Sequence, residues 1–149
     1  MENQAAKKPT VLIFEPDSLL GTAMSAVLES AAMTCRHVKD PIAALRDAST
    51  HACDLLVYAV EEDVLATAEQ VAALRRSAPA PMPVIFVASR LDPSWIEPLN
   101  AAGGVYCLTR PFEPSRLIEY AREAISVDHI SVARSAPPKA HFSKDWVRL

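Results

Sequence analysis

The sequence predicts an α/β domain with a doubly wound parallel sheet, and three observations predict it. Five short apolar runs recur along the chain, each followed by a segment with helical spacing. The most apolar run, Asp54-Leu-Leu-Val-Tyr-Ala59, does not alternate, which suits a central strand covered on both faces. Asp-Pro pairs and proline clusters punctuate the boundaries. Five strands alternating with five helices imply parallel pairing with right-handed crossovers.

The elements follow in order. Thr10 to Phe14 is a short apolar strand ending in Glu15-Pro16-Asp17. Asp17 or Ser18 can cap the next helix, whose stripe is Leu20, Met24, Val27, Leu28 and Ala31. Thr34 to Val38 alternates more than the other strands and so suits an edge. Asp40-Pro41 pairs an N-cap with proline at the first helical position, opening a helix carrying Ile42, Leu45 and Ala48. The central strand comes next, then a helix from about Glu62 to Ala78 with Val64, Ala68, Val71 and Leu74 on one face. Its acidic start and Arg75-Arg76 end complement the helix dipole. Val84 to Val87 forms the fourth strand, ending in Ala88-Ser89-Arg90. The helix opened by Asp92-Pro93 contains Pro98, which lacks an amide hydrogen and crowds the preceding turn, so it should be short or kinked. Val105 to Leu108 is the fifth strand. The last helix starts at Pro114 and turns Leu117, Ile118, Ala121 and Ile125 inward.

A chain of 149 residues holds about one domain and a tail. Residues 1–9 read as a flexible leader, 10–126 as the domain and 127–149 as a C-terminal tail or linker. Within the tail, Ser135-Ala-Pro-Pro138 is the linker signal. Phe142 and Trp146 could dock on a partner or on the domain itself, or remain disordered. Half the residues are hydrophobic, 22% are charged and the formal net charge is −3, giving no basic footprint for nucleic acid or an anionic membrane. No signal peptide is evident, and no run reaches the roughly 18 to 20 apolar residues of a membrane span. Cys35, Cys53 and Cys107 are widely spaced and match neither a disulfide framework nor zinc ligation. These features lead to the expectation of a cytoplasmic protein with buried free thiols.

Enzyme signatures are missing. With Gly21, Gly103 and Gly104 as its only glycines, the chain has no phosphate-cradling loop, and neither a GxSxG elbow nor an HExxH helix occurs.

The acidic turn after the first strand, the Asp54–Ala59 run, Ala102-Gly-Gly-Val-Tyr-Cys107 and above all Leu108-Thr-Arg-Pro-Phe112 resemble the receiver domain of CheY-like response regulators. The resemblance covers about Pro9 to Ser126. It implies a flavodoxin-like (βα)5 fold with strand order 2-1-3-4-5 and a place in two-component, phosphorelay-type signal transduction. In that family an acid pair binds magnesium and an aspartate accepts a phosphoryl group from a histidine kinase. A hydroxyl residue and a lysine then hold and sense the phosphate, and an aromatic residue acts as switch. Carried over, the acid pair falls on Glu15 and Pro16, the acceptor on Ala59, the hydroxyl on Ala88, the lysine on Arg110 and the switch on Cys107.

Each departure removes a part the chemistry needs. Ala59 has no acceptor oxygen for in-line transfer. Ala88 cannot donate a hydrogen bond, and Cys107 carries no ring. Magnesium prefers about six oxygens, and Glu15 is the one carboxylate left at the matched positions. Arg110 keeps a charge, but as a planar fork. The expectation is therefore a non-enzymatic pseudo-receiver, with no magnesium or other cofactor. It would act on a protein partner, namely a sensor kinase, an effector or a second copy as a homodimer. Two alternatives stay open: a receiver with a displaced acceptor, Asp17 or Glu61, and a small flavodoxin-like ligand- or nucleotide-binding protein.

Individual residues carry paired readings. Arg110 could pair with Glu15 or Asp17, or lie solvated beside Phe112. Glu61-Glu62-Asp63 could rebuild a cation site with Glu15, or simply complement a helix dipole. Cys107 could sense redox state or be an inert buried thiol. Trp95 and Tyr106 would lie on the face that receivers use for partners, or be ordinary aromatics. His37, His51, His129 and His141 have no ligand-like neighbours in sequence.

Overall fold

In the computed structural model, residues 7–130, 141–142 and 146–149 are described; the first six residues of the expected leader and the linker at 135–138 lie outside them. Five parallel strands, β1 (Thr10–Phe14), β2 (Thr34–Val38), β3 (Leu55–Ala59), β4 (Val84–Ala88) and β5 (Gly104–Thr109), stand in the order β2-β1-β3-β4-β5. This is the expected CheY-like, flavodoxin-like arrangement. The sheet does not stop at β5. Two short strands near the C-terminus, β6 (His141–Phe142) and β7 (Trp146–Arg148), extend it in antiparallel sense, with β7 paired to β5 and β6 outermost.

β3 and β4 are buried along their whole length because both faces are covered, whereas the edge strand β2 is only partly buried and carries Arg36 and His37. Leu12, Phe14, Leu56, Tyr58, Phe86 and Cys107 point into one core half, shared with α2 (Pro41–Thr50), α3 (Val64–Ser77) and α4 (Ile96–Ala101). Val11, Ile13, Leu55, Val57, Ile85 and Tyr106 point into the other, shared with α1 (Ser18–Glu29) and α5 (Pro114–Ile130). Each fully buried aliphatic side chain contributes about 1.5 to 3 kcal/mol, so these layers carry the stability of the domain.

The helices start where their caps dictate. Asp17, Asp40 and Asp63 accept hydrogen bonds from first-turn amides of α1, α2 and α3 and satisfy donors that the helix cannot. All three caps stand at the carboxyl end of the parallel sheet. Pro98 acts as expected: a single 3-10 turn, Pro93–Trp95, is followed by only six α-helical residues. The chain re-enters the sheet through Gly103, whose φ of 110° suits a residue without a Cβ.

Two helix faces differ from the expectation. In α2 the buried residues are Ala44 and Ala48, while Ile42 is 68% exposed and Leu45 is exposed. In α1 Gly21, Met24 and Leu28 are buried and Leu20 is exposed. On the sheet-facing side of α2, Arg36 of β2 reaches Asp47 through Nε and Nη2 at 2.8 to 3.1 Å. Small alanines on that side permit close approach. Among the described residues no helix is long and apolar enough to cross a membrane.

Candidate functional site

The carboxyl ends of β1, β3, β4 and β5 lie side by side, so the turns that follow them meet at one rim of the sheet. Every position that the resemblance marks as part of a phosphorylation site belongs to this rim. Glu15 follows β1, with its amide bonded to the Val38 carbonyl and its side chain turned inward. Arg110 follows β5, its amide donating to the Ala88 carbonyl at 2.8 Å.

Glu15 and Arg110 meet. Arg110 Nη1 lies 2.7 Å from Glu15 Oε1, with side-chain exposures of 24% and 5% respectively. The second carboxylate oxygen is also engaged, accepting the Asp17 amide at 3.1 Å. The Glu15 carbonyl is 2.9 Å from His37 Nε2. Backbone and side chain of Glu15 are thus held from several directions, and the charge of a buried carboxylate is matched by a guanidinium. Of the two partners open to Arg110 in the sequence, Glu15 is the one it takes. Asp17 is occupied as the α1 cap, accepting from the Leu19 and Leu20 amides at 2.9 and 3.1 Å.

Beside this pair the rim is apolar. Ala59 and Ala88 end adjacent strands at 3% and 1% exposure, and both belong to the core half that contains Val60 and Trp95. Neither methyl can accept a phosphoryl group or donate a hydrogen bond to one. Pro16 is exposed and offers no oxygen from its side chain. Glu61 is exposed, and its amide donates to the buried Thr67 hydroxyl at 3.3 Å. Among the described residues no three His, Cys, Asp or Glu side chains converge as metal ligands would. Both oxygens of Glu15 already accept protein hydrogen bonds, and Arg110 already supplies the counter-charge that a cation would bring. This donor set does not suit magnesium.

Cys107, at the switch position, is fully buried, and burial pushes its thiol up to about 12. Cys35 and Cys53 are partly buried and raised to about 11, chiefly by desolvation. None has the lowered pKa that marks a reactive thiol.

Trp95 and Tyr106, expected on a partner-facing surface, are instead covered by the chain itself. Trp95 packs into the core with the Arg90 guanidinium 4.8 Å above its ring. Tyr106 lies under Tyr120 and Trp146, with ring centroids 4.3 and 5.8 Å away, and its hydroxyl accepts from Arg148 Nη2 at 3.2 Å. Docking of Trp146 on the domain itself was one of the outcomes open in the sequence, but Tyr106 as its seat was not foreseen. The only signal of this cover was the spacing of Trp146, Val147, Arg148 and Leu149, too short a run to distinguish a strand from a loose end.

No family model matches the chain, and no curated protein matches it. Solved structures do. The fold is similar to that of the chemotaxis protein CheY4 of Vibrio cholerae, at 22% identity over 79% of this chain and 99% of that one, with a TM-score of 0.70. A response regulator from Thermotoga maritima is similar at 22% identity, over 80% of this chain and 99% of that one, with a TM-score of 0.74. A CheY-like receiver domain protein from Methanospirillum hungatei is similar at 15% identity, over 84% and 99%, with a TM-score of 0.75. The fold is therefore that of CheY-like response regulator receivers.

Proposed function

We propose that this chain is a receiver-like module of two-component-type signalling that works by protein–protein interaction and without aspartyl phosphorylation. The observation that carries the reading is the ion pair of Glu15 and Arg110 beside two buried methyls, Ala59 and Ala88. In-line phosphoryl transfer needs an acceptor oxygen and charge stabilisation of the transferring group. Here the acceptor position is a methyl, the remaining acid is neutralised by Arg110, and the remaining cation is spent on Glu15. At the matched positions the one acid and the one cation are spent on each other, which leaves neither open for phosphate or magnesium to complete.

On this reading the domain is non-enzymatic and cofactor-free, and its output depends on which protein it binds: a sensor kinase, an effector or another copy. The weak net charge of −3 argues against nucleic acid as the partner. A cytoplasmic location belongs to the same proposal.

The test is incubation of the full chain with acetyl phosphate and magnesium, followed by intact mass and peptide mapping. The expected result is no added phosphoryl group. Saturable uptake at Asp17 or Glu61 would replace the reading with that of a receiver whose acceptor has moved.

A further inference from the structure

The β5 edge is closed by the end of the same chain. Tyr106, Cys107 and Leu108 pair in antiparallel register with Arg148, Val147 and Trp146, and the Leu149 amide continues the ladder to the Val105 carbonyl at 3.0 Å. The contacts are specific on both faces of β7. Val147 and Leu149 are buried in the core half that holds Leu99 and Phe86. Leu149 fits because residue 104 is glycine: a Cβ there would lie 2.6 Å from Leu149 Cδ1 and 2.8 Å from the Leu99 carbonyl. On the other face Trp146 packs against Tyr106 and Tyr120, and Arg148 Nη2 bonds Glu123 Oε2 at 3.1 Å as well as the Tyr106 hydroxyl.

We propose that β7 is an exchangeable cap on the β5 edge, and that the partner this edge accepts when the cap leaves is β7 of a second copy of the chain. Without β7, β5 presents a row of unpaired backbone groups next to exposed Tyr106 and Cys107, which makes a template for strand addition. The cap is short, three residues of β7 with the Leu149 amide continuing the ladder, and its outer neighbour, β6, is only two residues long, so it stands at the low-stability end of the sheet. The same four residues from a second copy restore every one of these contacts unchanged. Exchange therefore gives up only the intramolecular connection, which concentration offsets, and two copies that swap caps form a closed symmetric dimer. This inference is independent of whether the carboxyl rim takes phosphate.

The test uses the register itself. Val147→Cys, placed in the full chain with Cys35→Ser and Cys53→Ser, puts two thiols opposite each other across β5 and β7, a separation a disulfide can span. The protein is held at low and at high concentration in mild urea to permit exchange, returned to buffer, oxidised and run on a non-reducing gel. At low concentration the expected product is a monomer with both thiols consumed; at high concentration it is a covalent dimer whose fraction rises with concentration. A cross-linked monomer at every concentration overturns the proposal. Sedimentation of the unmodified chain after the same treatment provides a second readout that needs no variant. A dimer lost on Arg148→Glu supports exchange, and a monomer throughout refutes it.

Discussion

Arg110 Nη1 stands 2.7 Å from Glu15 Oε1 across 95 positions of sequence, joining the turn after the last parallel strand to the turn after the first. Because the carboxylate is buried, removing its partner leaves a charge without water. Arg110→Ala should lower stability by about 2 to 3 kcal/mol, well above the 0 to 1 kcal/mol of an exposed pair. Glu15→Gln combined with Arg110→Gln should cost less than the sum of the single changes. Urea unfolding of the four proteins measures this; additive effects would mean that the pair is not coupled.

Restoring an acceptor at residue 59 should not restore phosphorylation. Ala59→Asp supplies an oxygen, but Pro16 and Ala88 still lack the groups that would hold a metal and the phosphoryl oxygens. It also introduces a carboxyl at a position 3% exposed, so stability should fall. Acetyl phosphate labelling with magnesium checks the first outcome and urea unfolding the second. A phosphorylated single variant would show that the rim is still competent.

The thiols should be unreactive near neutrality. Cys35 and Cys53 are raised to about 11 and Cys107 to about 12, against an ordinary value of 9.0. At pH 8 disulfide-exchange reagents should modify all three slowly, with Cys107 last. The same shifts set an alkaline limit. The unfolded chain loses these protons first, so the stability they lend is complete below about pH 9 and is lost as pH rises toward 11 to 12. Reagent kinetics and urea midpoints between pH 8 and 11 test both statements, and a midpoint that does not fall would contradict the second.

Gly21→Ala should destabilise, although alanine is favoured over glycine in a helix by about 1 kcal/mol. A Cβ at residue 21 would fall on the His37 ring, which lies against α1 while Nε2 reaches the Glu15 carbonyl. Either the ring moves and that hydrogen bond is lost, or the helix shifts. A net loss of about 1 to 2 kcal/mol is expected, and a stabilised variant in a melting experiment would show that the ring swings away freely.

Gly104→Ala should weaken the cap specifically. The new methyl would meet Leu149, Phe86 and the Leu99 carbonyl at 2.6 to 2.8 Å, and Leu149, held beside the three-residue β7, is the neighbour best able to give way. Hydrogen exchange at Val105 to Leu108 should speed up, while β1 and β3 amides keep their protection. Uniform acceleration across the sheet would instead mean that the whole domain is strained.

The strands were legible because burial on both faces leaves a run such as Leu55 to Ala59 with no polar residue to mistake for a turn. The caps were legible because Asp40-Pro41 has few other uses. Helix facing was less so. The stripe of Ile42, Leu45 and Ala48 is buried only at Ala48: Ala44 is the second buried residue of α2, on the side where Asp47 meets Arg36, and Ile42 and Leu45 are exposed. Tyr106 was similarly misplaced, since beside Tyr120 of α5 its cover comes from Trp146 and Arg148, in a segment with no strand-length pattern of its own.

What the sequence by itself determined is the chemistry available at the rim: a methyl at residues 59 and 88, one acid at residue 15 and one guanidinium at residue 110 are matters of residue identity. Only the tertiary structure decided what those groups do to one another and where the chain end goes. A local pattern records which way a strand or helix segment leans. The partner of a buried charge, or of an open strand edge, is whichever distant group the folded sheet brings within about 3 Å to relieve its desolvation.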